Sequence, residues 1–420
     1  MLRFMCLCVV MLAVCEAGSI RAAEFFFKDG DVVVMIGDSI TEQHLYSNYV
    51  EVWTITRFPK WKLTFRNVGI GGDRSPGGNG RFARDVLLHK PTAMTTDFGM
   101  NDAGGGEAGL KVFIDGLQGM ANQAKAANIR VAWVTPQPVD NGDQGPTALT
   151  GYNQMLEKYS EGVKVIADKN GELFVDQFHP YLAVLNRARG KGPKYDRITA
   201  GDAVHPGPPG QALMAASILK GLNFPSLVSS AEIDAAGGKV VSMKNCTVEN
   251  VVKKGGGVSF TRLDAALPFF PAEAASILPH ELILDELNDY RLKVTGLVAG
   301  KYEVKVGGKK IAELNADLLA GGLNIAADVL GDGPIADQAK AVKAAVEAKN
   351  RFHHDMIFRG IVLSNVAIPE WLGLKLTPQE IESKRQAAIT ERLAKLLALD
   401  AEVAKTLTMK PNTFDIVPVK

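Results

Sequence analysis

The chain contains little cysteine and has no excess of charge of either sign. Of its four cysteines, Cys6, Cys8 and Cys15 lie close to the N-terminus. Cys246 alone cannot form an internal disulfide or a cysteine zinc site, so neither framework is expected in the rest of the chain. Lys and Arg number 47 against 46 Asp and Glu, a formal charge of +1. This balance does not indicate nucleic acid or an anionic membrane surface as the main partner.

A membrane-spanning hydrophobic run is also missing. The apolar stretch Met5–Val14 is too short to cross a bilayer, but it follows Arg3 and has the length of a signal-peptide core. We therefore expect residues 1–23 to be a signal peptide and the protein to be exported, as a secreted or periplasmic protein. A lipid anchor on Cys15 is the less favoured alternative, because Val14 is a poor residue directly before a lipidated cysteine.

Strand-like and helix-like segments alternate over residues 24–228. Apolar runs typical of buried strands alternate with stretches of helical periodicity, which predicts a parallel sheet covered by helices on both faces. The expected strands are Val32–Ile36, Leu63–Val68, Ala93–Phe98, Arg130–Val134 and Leu173–Val175.

The second half changes character. Residues 231–320 alternate as short strands, with Gly307-Gly308 as a hairpin turn, and predict a small antiparallel β domain. The expected strands there include Lys239–Met243, Val258–Arg262, Glu281–Leu284 and the runs that start at Tyr290 and Tyr302. Residues 321–420 are predicted to be a helical region that packs on the rest. In that region Thr377-Pro378-Gln379-Glu380 is a capping box, and Ile381, Ala388, Leu393 and Leu396 form an apolar stripe.

Small polar residues follow the predicted parallel strands at the points where the strands end. Gly37-Asp38-Ser39 follows the first strand, Gly71-Gly72-Asp73 the second and Gly99-Met100-Asn101 the third. Open α/β sheets bind ligands at this edge. A serine there is a candidate nucleophile, and it needs an oriented base and donors for a developing oxyanion. Asp202-Ala-Val-His205-Pro, before a helical segment, supplies a candidate base and its orienting carboxylate.

These four blocks, in this order, resemble the SGNH or GDSL-type hydrolase family, and the similarity covers about residues 30–225. The resemblance implies a flavodoxin-like, doubly wound sheet of five parallel strands. It also implies that Ser39 is the nucleophile, His205 the base and Asp202 the residue that holds the imidazole. The oxyanion hole would be formed by the backbone N–H groups of Ser39 and Gly72 with the side-chain amide of Asn101. No metal and no cofactor are expected.

A second segment repeats the spacing of the base block. Asp176-Gln-Phe-His179-Pro follows the fifth predicted strand, so His179 competes with His205 for the role of base. His205 is favoured because glycines and a helix follow it, and His179 then becomes a substrate-loop or packing residue. Asp38, His44 and Arg74 lie near the blocks and, with His179, are candidates to line the substrate site.

The sequence thus predicts an exported serine ester hydrolase. Its expected substrates are esters of small acyl groups, in particular acetyl, with a carbohydrate or another small molecule. An acyltransferase on the same scaffold is an alternative, because transfer and hydrolysis differ in how well the cleft excludes water. A second alternative is a polysaccharide or cell-surface binding protein with a vestigial hydrolase domain. The sequence does not indicate an oligomeric state.

Overall fold

The computed structural model describes residues 24–142, 145, 147–189, 197–364, 373 and 375–419. The predicted signal peptide, residues 1–23, lies outside these described residues and stays a prediction. Within the described part of the chain, no helix is long and apolar enough to cross a membrane. The same residues contain no group of three or more His, Cys, Asp or Glu side chains that could hold a metal ion.

A five-stranded parallel sheet with flanking helices organises the first half of the chain, and this confirms the predicted α/β class. Its strands are β1 (Val32–Gly37), β2 (Thr64–Asn67), β3 (Ala93–Asp97), β4 (Arg130–Val134) and β5 (Leu173–Val175). They pair in the order β2-β1-β3-β4-β5, the order of a doubly wound sheet. All their carboxyl ends therefore lie at one edge, which is where the polar blocks follow.

Helices connect these strands and cover the sheet. They are α1 (Ser39–Glu42), α2 (Leu45–Arg57), α3 (Ser75–Asp85), α4 (Gly106–Ala126), α5 (Tyr152–Asn170), α6 (Phe178–Arg189) and α7 (Pro208–Gly221), with 3-10 turns at Leu87–His89 and Asp102–Gly105. Helix α2 packs against α7, whereas α3, α4 and α5 pack side by side as a second group. Strand residues such as Val33, Val34 and Trp133 are fully buried in the sheet's core, as both-face coverage requires.

Two further sheets follow. Their strands are β6 (Leu227–Asp234), β7 (Lys239–Lys244), β8 (Cys246–Lys254), β9 (Gly257–Asp264), β10 (Asp289–Thr295), β11 (Lys301–Val306), β12 (Lys309–Asn315), β13 (Leu323–Asn324) and β14 (Asn412–Pro418). One sheet has the order β13-β10-β6-β7 and the other β12-β11-β14-β9-β8. The second is antiparallel throughout, but in the first sheet β6 and β10 are parallel. The sequence predicted an antiparallel β domain. The β region is mostly antiparallel, but it contains this one parallel pair.

A buried arginine joins these two sheets. The guanidinium of Arg262 on β9 donates to Asp264 at 2.8 Å and to the Ser229 hydroxyl of β6 at 2.6 Å. The Tyr290 hydroxyl of β10 donates to the other oxygen of Asp264 at 2.7 Å, and the guanidinium lies 4.1 Å from the centre of the Tyr290 ring. Each buried polar group therefore has a partner, which removes most of the cost of burying the charge.

The long C-terminal helices share a hydrophobic core with the parallel-sheet domain, whereas the short helices that follow β12 and β13 pack in the core of the two further sheets. The shorter helices are α8 (Ile283–Leu287), α9 (Ala316–Gly321) and α10 (Ala326–Gly331), and the long helices are α11 (Pro334–Phe352) and α12 (Pro378–Thr406). A 3-10 turn lies at Ala272–Ile277 and a π-helical segment at His353–Val362. Buried polar contacts add to this core: Lys349 of α11 pairs with Glu51 of α2, and Asp400 of α12 pairs with Arg66 at 2.5 Å.

Three local predictions are wrong. Glu281–Leu284 is not a strand, because Ile283–Leu287 forms helix α8 and buries Ile283 and Leu287 on one side. The region after residue 320 is not wholly helical, because β13 and β14 lie in it and β14 pairs with β11 and β9. In α12 the capping box at Thr377 is present, Leu396 of the predicted stripe is buried and Leu393 packs on the core, but the stripe is wrong at Ile381, which is exposed. The domain boundaries themselves stay predictions.

Candidate active site

Ser39 is the first residue of α1, directly after the carboxyl end of β1. The preceding Asp38 is extended and caps this helix: its Oδ1 accepts the backbone N–H of Ile40 at 2.9 Å. A capping carboxylate is the usual way to satisfy the free N–H groups of a helix start. The strand-to-helix turn thereby holds the Ser39 hydroxyl at the sheet edge, in the position that the sequence predicted.

The structure brings Ser39, His205 and Asp202 together. The Ser39 Oγ lies 2.9 Å from Nε2 of His205, and Nδ1 of the same ring lies 3.0 Å from Oδ2 of Asp202. The other oxygen of Asp202 accepts the backbone N–H groups of Val204 and His205 at 2.8 and 2.7 Å. The His205 backbone bond is the main cause that lowers the pKa of Asp202 to about 2, aided by the ring bond and the Val204 N–H and opposed by partial desolvation.

Contacts from two other elements hold the loop that carries His205. The Gln137 side chain, beyond β4, donates to the carbonyl of Val204 at 3.2 Å, and the Asp140 N–H donates to the carbonyl of Ala203 at 3.0 Å. Gln211 of α7 links the following helix to the nucleophile region, because it accepts the Tyr46 N–H at 3.0 Å and donates to the Gln43 side chain at 2.7 Å. The imidazole is thus positioned from both sides.

The Gly72 loop lies beside Ser39 as a tight turn. The Asp73 N–H donates to the carbonyl of Ile70 at 3.2 Å, and Gly72 inside the turn has a φ of +73°. A residue with a side chain rarely adopts that conformation, which explains the glycine. The buried Arg81 holds the end of the turn, since its Nε donates to Asp73 at 2.7 Å. Gly72 is itself exposed, so its backbone is accessible to a ligand.

The side-chain amide of Asn101 is already engaged. Its Nδ2 lies 3.0 Å from the carbonyl oxygen of Asp73 and 3.3 Å from Oδ2 of Asp38. An amide nitrogen has two hydrogens, so these acceptors use both of them. A developing oxyanion would have to replace one acceptor, and the longer contact, to Asp38, is the weaker of the two.

Asp38 is a buried acid, not a substrate-lining residue. It is 2% exposed, and burial raises its pKa from the ordinary value of 3.8 to about 7, even though the Ile40 N–H bond works in the opposite direction. Asp97, at the end of β3, is also buried, and its pKa is raised by desolvation and by the charge of Asp38. Two adjacent buried carboxyl groups disfavour a second negative charge.

The competing pair Asp176 and His179 forms a contact of its own. The Nδ1 of His179 lies 2.8 Å from Asp176, and Nε2 lies 3.5 Å from Glu157. The His179 side chain is 52% exposed. Ser39 therefore has His205 as its imidazole partner, and both ring nitrogens of His179 face carboxylates instead.

The other two predicted lining residues, Arg74 and His44, differ in their surroundings. Arg74 is exposed after the Gly72 turn, whereas His44 packs edge-to-face on His354, with ring centres 5.1 Å apart.

Sequence reasoning missed Glu42, which lies on α1 three residues after Ser39 and accepts the N–H of Gly71 at 2.7 Å. It also missed Arg359 and His354, C-terminal residues that contact the other oxygen of Glu42. Glu42 had a detectable signal, because residues three apart on a helix lie on the same side. Arg359 and His354 had none, because nothing local connects them with residue 42.

A doubly wound sheet thus carries a serine, an imidazole and a carboxylate in line at its carboxyl edge, an arrangement that is suited to acyl transfer. Residues 35–213 match the model of the GDSL-like lipase/acylhydrolase family. This match confirms the resemblance that the sequence blocks predicted.

Individual proteins are also similar to this chain. The acetylxylan esterase of Geobacillus stearothermophilus is 24% identical over 220 residues, which cover 46% of this chain and 95% of that protein. Its crystal structure overlaps with 48% of this chain and 97% of its own at 23% identity, with a TM-score of 0.41. A gut microbial diltiazem-metabolizing enzyme of known structure matches 94% of this chain and 98% of its own, with a TM-score of 0.78 and 24% identity. At that identity the last match shows a shared fold, including the extra sheets and C-terminal helices.

Proposed function

We propose that the protein is a serine ester hydrolase that removes small acyl groups, in particular acetyl groups, from carbohydrate. The observation that carries this proposal is the line of contacts from Ser39 Oγ to His205 at 2.9 Å and from His205 to Asp202 at 3.0 Å. A serine hydroxyl is a weak nucleophile unless a base takes its proton, and this line supplies the base and its orienting group.

In the first half of the reaction, Ser39 Oγ attacks the ester carbonyl carbon while Nε2 of His205 takes the hydroxyl proton. The resulting imidazolium is stabilised by Asp202, which its low pKa keeps ionised. The tetrahedral intermediate then collapses, the bond to the leaving alcohol breaks, and His205 returns the proton to that alcohol. Water repeats the sequence on the acyl-serine and releases the carboxylic acid.

The negative charge on the carbonyl oxygen needs donors that are already in place. The backbone N–H groups of Ser39 and Gly72 and the amide of Asn101 are proposed for this role. The Asn101 amide becomes available when the substrate oxygen replaces Asp38 as its acceptor. A neutral Asp38 assists this exchange, because a second anion beside the oxyanion would destabilise the transition state.

The proposed substrate class rests on two supports. The curated relative that matches the domain is named an acetylxylan esterase, which acts on acetylated carbohydrate. The Gly71-Gly72-Asp73 turn beside Ser39 is polar and rich in glycine, and it offers hydrogen-bonding groups more than apolar area. A polar acceptor with a short acyl group fits such a surface better than a long acyl chain.

The deciding measurement is acetate release from acetylated xylo-oligosaccharides compared with hydrolysis of p-nitrophenyl esters of long-chain acids. We expect acetate release from the native chain and its loss in Ser39→Ala. A preference for long acyl chains would exclude the carbohydrate proposal, and full activity in Ser39→Ala would exclude the serine mechanism. Analysis of products with an added sugar acceptor separates hydrolysis from acyl transfer. Failure of a fluorophosphonate to label Ser39 would favour a binding protein.

We also propose that the protein is exported. The support is the signal-like segment before residue 24, in which Arg3 precedes the apolar stretch Met5–Val14. Expression of the whole chain in a bacterial host, followed by N-terminal sequencing of the exported protein, tests this proposal. A cytoplasmic product that keeps its first residues would overturn it, and a lipid-modified Cys15 would indicate anchoring.

A further inference from the structure

Glu42 connects the nucleophile helix with the loop that carries Gly72. Its Oε2 accepts the backbone N–H of Gly71 at 2.7 Å. A side chain built at position 71 would lie 3.0 Å from this oxygen and 3.9 Å from the Cβ of Ser39, so both groups border the same backbone segment. The carboxylate thus fixes the peptide next to the one whose N–H is proposed for the oxyanion hole.

The other oxygen of Glu42 is held from the far end of the chain. Arg359 donates to Oε1 through Nε at 2.7 Å and also through Nη2, and Nε2 of His354 lies 3.4 Å from the same atom. Burial works to raise the pKa of Glu42, but the hydrogen bonds and charge of Arg359 outweigh it and hold the pKa below its usual value. Two donors on one planar guanidinium fix the position of this oxygen more than a single donor would.

Arg359 and His354 are themselves placed by a rigid segment. They belong to the π-helical turns His353–Val362, in which Ile357, Phe358 and Val362 are buried. His353 lies 3.2 Å from His89 of the hydrolase domain, between their Nε2 atoms. π-helical turns are rare and occur mostly at functional sites. Because this segment is anchored in the shared core, its two polar side chains present fixed donors to Glu42.

We propose that Arg359, assisted by His354, is a positioning residue that acts through Glu42 on the Gly71–Gly72 turn and so keeps the Gly72 N–H directed at the developing oxyanion. This inference rests on the proposed function. It assigns a role in the reaction to the C-terminal region, which otherwise only packs on the hydrolase domain. The simpler reading is an ion pair that merely attaches the C-terminal segment.

A second ion pair provides a matched control. Arg187 of α6 pairs with Glu281, and these side chains are 52% and 14% exposed. Arg359 and Glu42 are 48% and 16% exposed. Both pairs join the hydrolase domain to a later part of the chain, but Arg187 and Glu281 make no contact with the Ser39 helix or the Gly72 turn. Each acid keeps other partners when its arginine is removed, Lys220 for Glu281 and the Gly71 N–H with His354 for Glu42. An effect of simple attachment should therefore appear in both pairs.

The experiment compares Arg359→Ala, Arg359→Lys and Arg187→Ala with the native chain, using p-nitrophenyl acetate as a minimal ester and melting temperature as the measure of folding. Misplacement of a catalytic donor by a fraction of an ångström to one ångström reduces turnover by about 10- to 100-fold. We expect a loss of this size in kcat for Arg359→Ala, with KM changed by less than about twofold. Arg359→Lys should recover part of the loss, and Arg187→Ala should keep the native kcat.

A native kcat in Arg359→Ala, an equal loss in Arg187→Ala, or an effect confined to KM would each overturn the inference. If Arg359→Ala does not fold, Glu42→Gln decides the matter: a fall in kcat supports the proposal and a native kcat overturns it. Failure of this inference leaves the proposed function intact when Ser39→Ala is inactive. Retained activity in Ser39→Ala would instead remove the proposed function.

Discussion

The amide nitrogen of Asn101 lies 3.3 Å from the carboxyl oxygen of Asp38, the residue directly before Ser39. The structure therefore ties a proposed oxyanion donor to a buried acid behind the nucleophile. Since the second hydrogen of the same amide bonds to the carbonyl of Asp73 at 3.0 Å, substrate must compete for Asn101. The two predictions that follow separate the amide's contribution from that of the acid.

Replacing Asn101 by Ala should lower kcat for an acetyl ester by about 100- to 1000-fold, the usual cost of losing one oxyanion donor. The KM should change little, because the donor acts mainly on charge that develops in the transition state. Steady-state kinetics with p-nitrophenyl acetate provide the measurement. A native kcat in Asn101→Ala would show that this amide does not serve the oxyanion.

The Asp38→Asn variant should change how stability depends on pH. The pKa of Asp38 is raised by burial from 3.8 to about 7, so the folded protein keeps a proton that the unfolded chain loses near pH 4. The contribution of protonated Asp38 to the free energy of unfolding is complete below pH 4 and is lost as pH rises to about 7. Over this range the native chain should lose on the order of 4 kcal/mol relative to Asp38→Asn. Urea denaturation at pH 4.5, 6 and 8 measures this difference, and parallel curves would contradict it.

Two histidine variants should behave differently in the same ester assay. His205→Ala removes the proposed base, which lies 2.9 Å from Ser39, and should reduce kcat by about a thousandfold or more. His179→Ala removes a half-exposed ring that contacts Asp176 and Glu157, and it should retain most of the activity. An active His205→Ala beside an inactive His179→Ala would reverse the assignment of the base.

The buried pair His89 and His353 should make the fold sensitive to acid. Burial lowers the pKa of His89 to about 3 and that of His353 well below its usual value, with nearby Arg66 contributing to both. The unfolded chain binds protons below about pH 6.5, whereas the folded pair stays neutral. The free energy of unfolding should therefore fall from pH 6.5 to pH 4, by up to about 1.4 kcal/mol per pH unit and histidine.

The variant His353→Gln tests that pair, because it keeps a polar side chain but cannot titrate. Its free energy of unfolding should depend less steeply on pH between 4 and 6.5 than that of the native chain. His179→Gln is the matched control, since the His179 ring is half exposed and remains accessible to water. If the free energy of unfolding depended equally steeply on pH in His353→Gln and in the native chain, His353 would not be a source of the acid sensitivity.

Removal of the last strand should be severely destabilising. Strand β14 lies between β11 and β9, and its Phe414 and Ile416 are fully buried. A chain that ends at residue 411 would leave β11 and β9 each with one unpaired edge, would divide the sheet into two pairs of strands and would open its core. We expect it to aggregate or to show a melting temperature lower by more than about 10 °C. Removing only residues 419 and 420 is the control, and it should melt like the native chain.

The candidate site was largely predictable because its parts are local blocks at strand ends. Each of Ser39, Gly72 and Asn101 follows an apolar strand of the parallel sheet, and parallel strands all end at the same edge. A short pattern in the sequence therefore already predicts a shared location. His205 was favoured from a pattern as well, but the duplicate block at His179 shows the limit of that reasoning. Only the distance to Ser39 distinguishes the two rings.

The β and helical regions were predicted less well. The periodicity of β14 was overlooked because it follows a 29-residue helix, α12, and its pairing partners lie more than 100 residues earlier. The segment Glu281–Leu284 resembles a strand because a short apolar run, here Leu-Ile-Leu after one Glu, fits a strand and a short helix equally well. In both cases tertiary packing decided what local pattern left open.

By itself the sequence determined the positions of the five parallel strands, the place of the proposed nucleophile and the resemblance of the domain to a family, because these depend on local periodicity and short motifs. The tertiary structure alone decided which histidine meets Ser39, how β14 completes its sheet and how Arg359 reaches Glu42. Those relationships join residues between 100 and 320 positions apart, and no local propensity encodes them. They arise only when burial of a common core brings distant segments into contact.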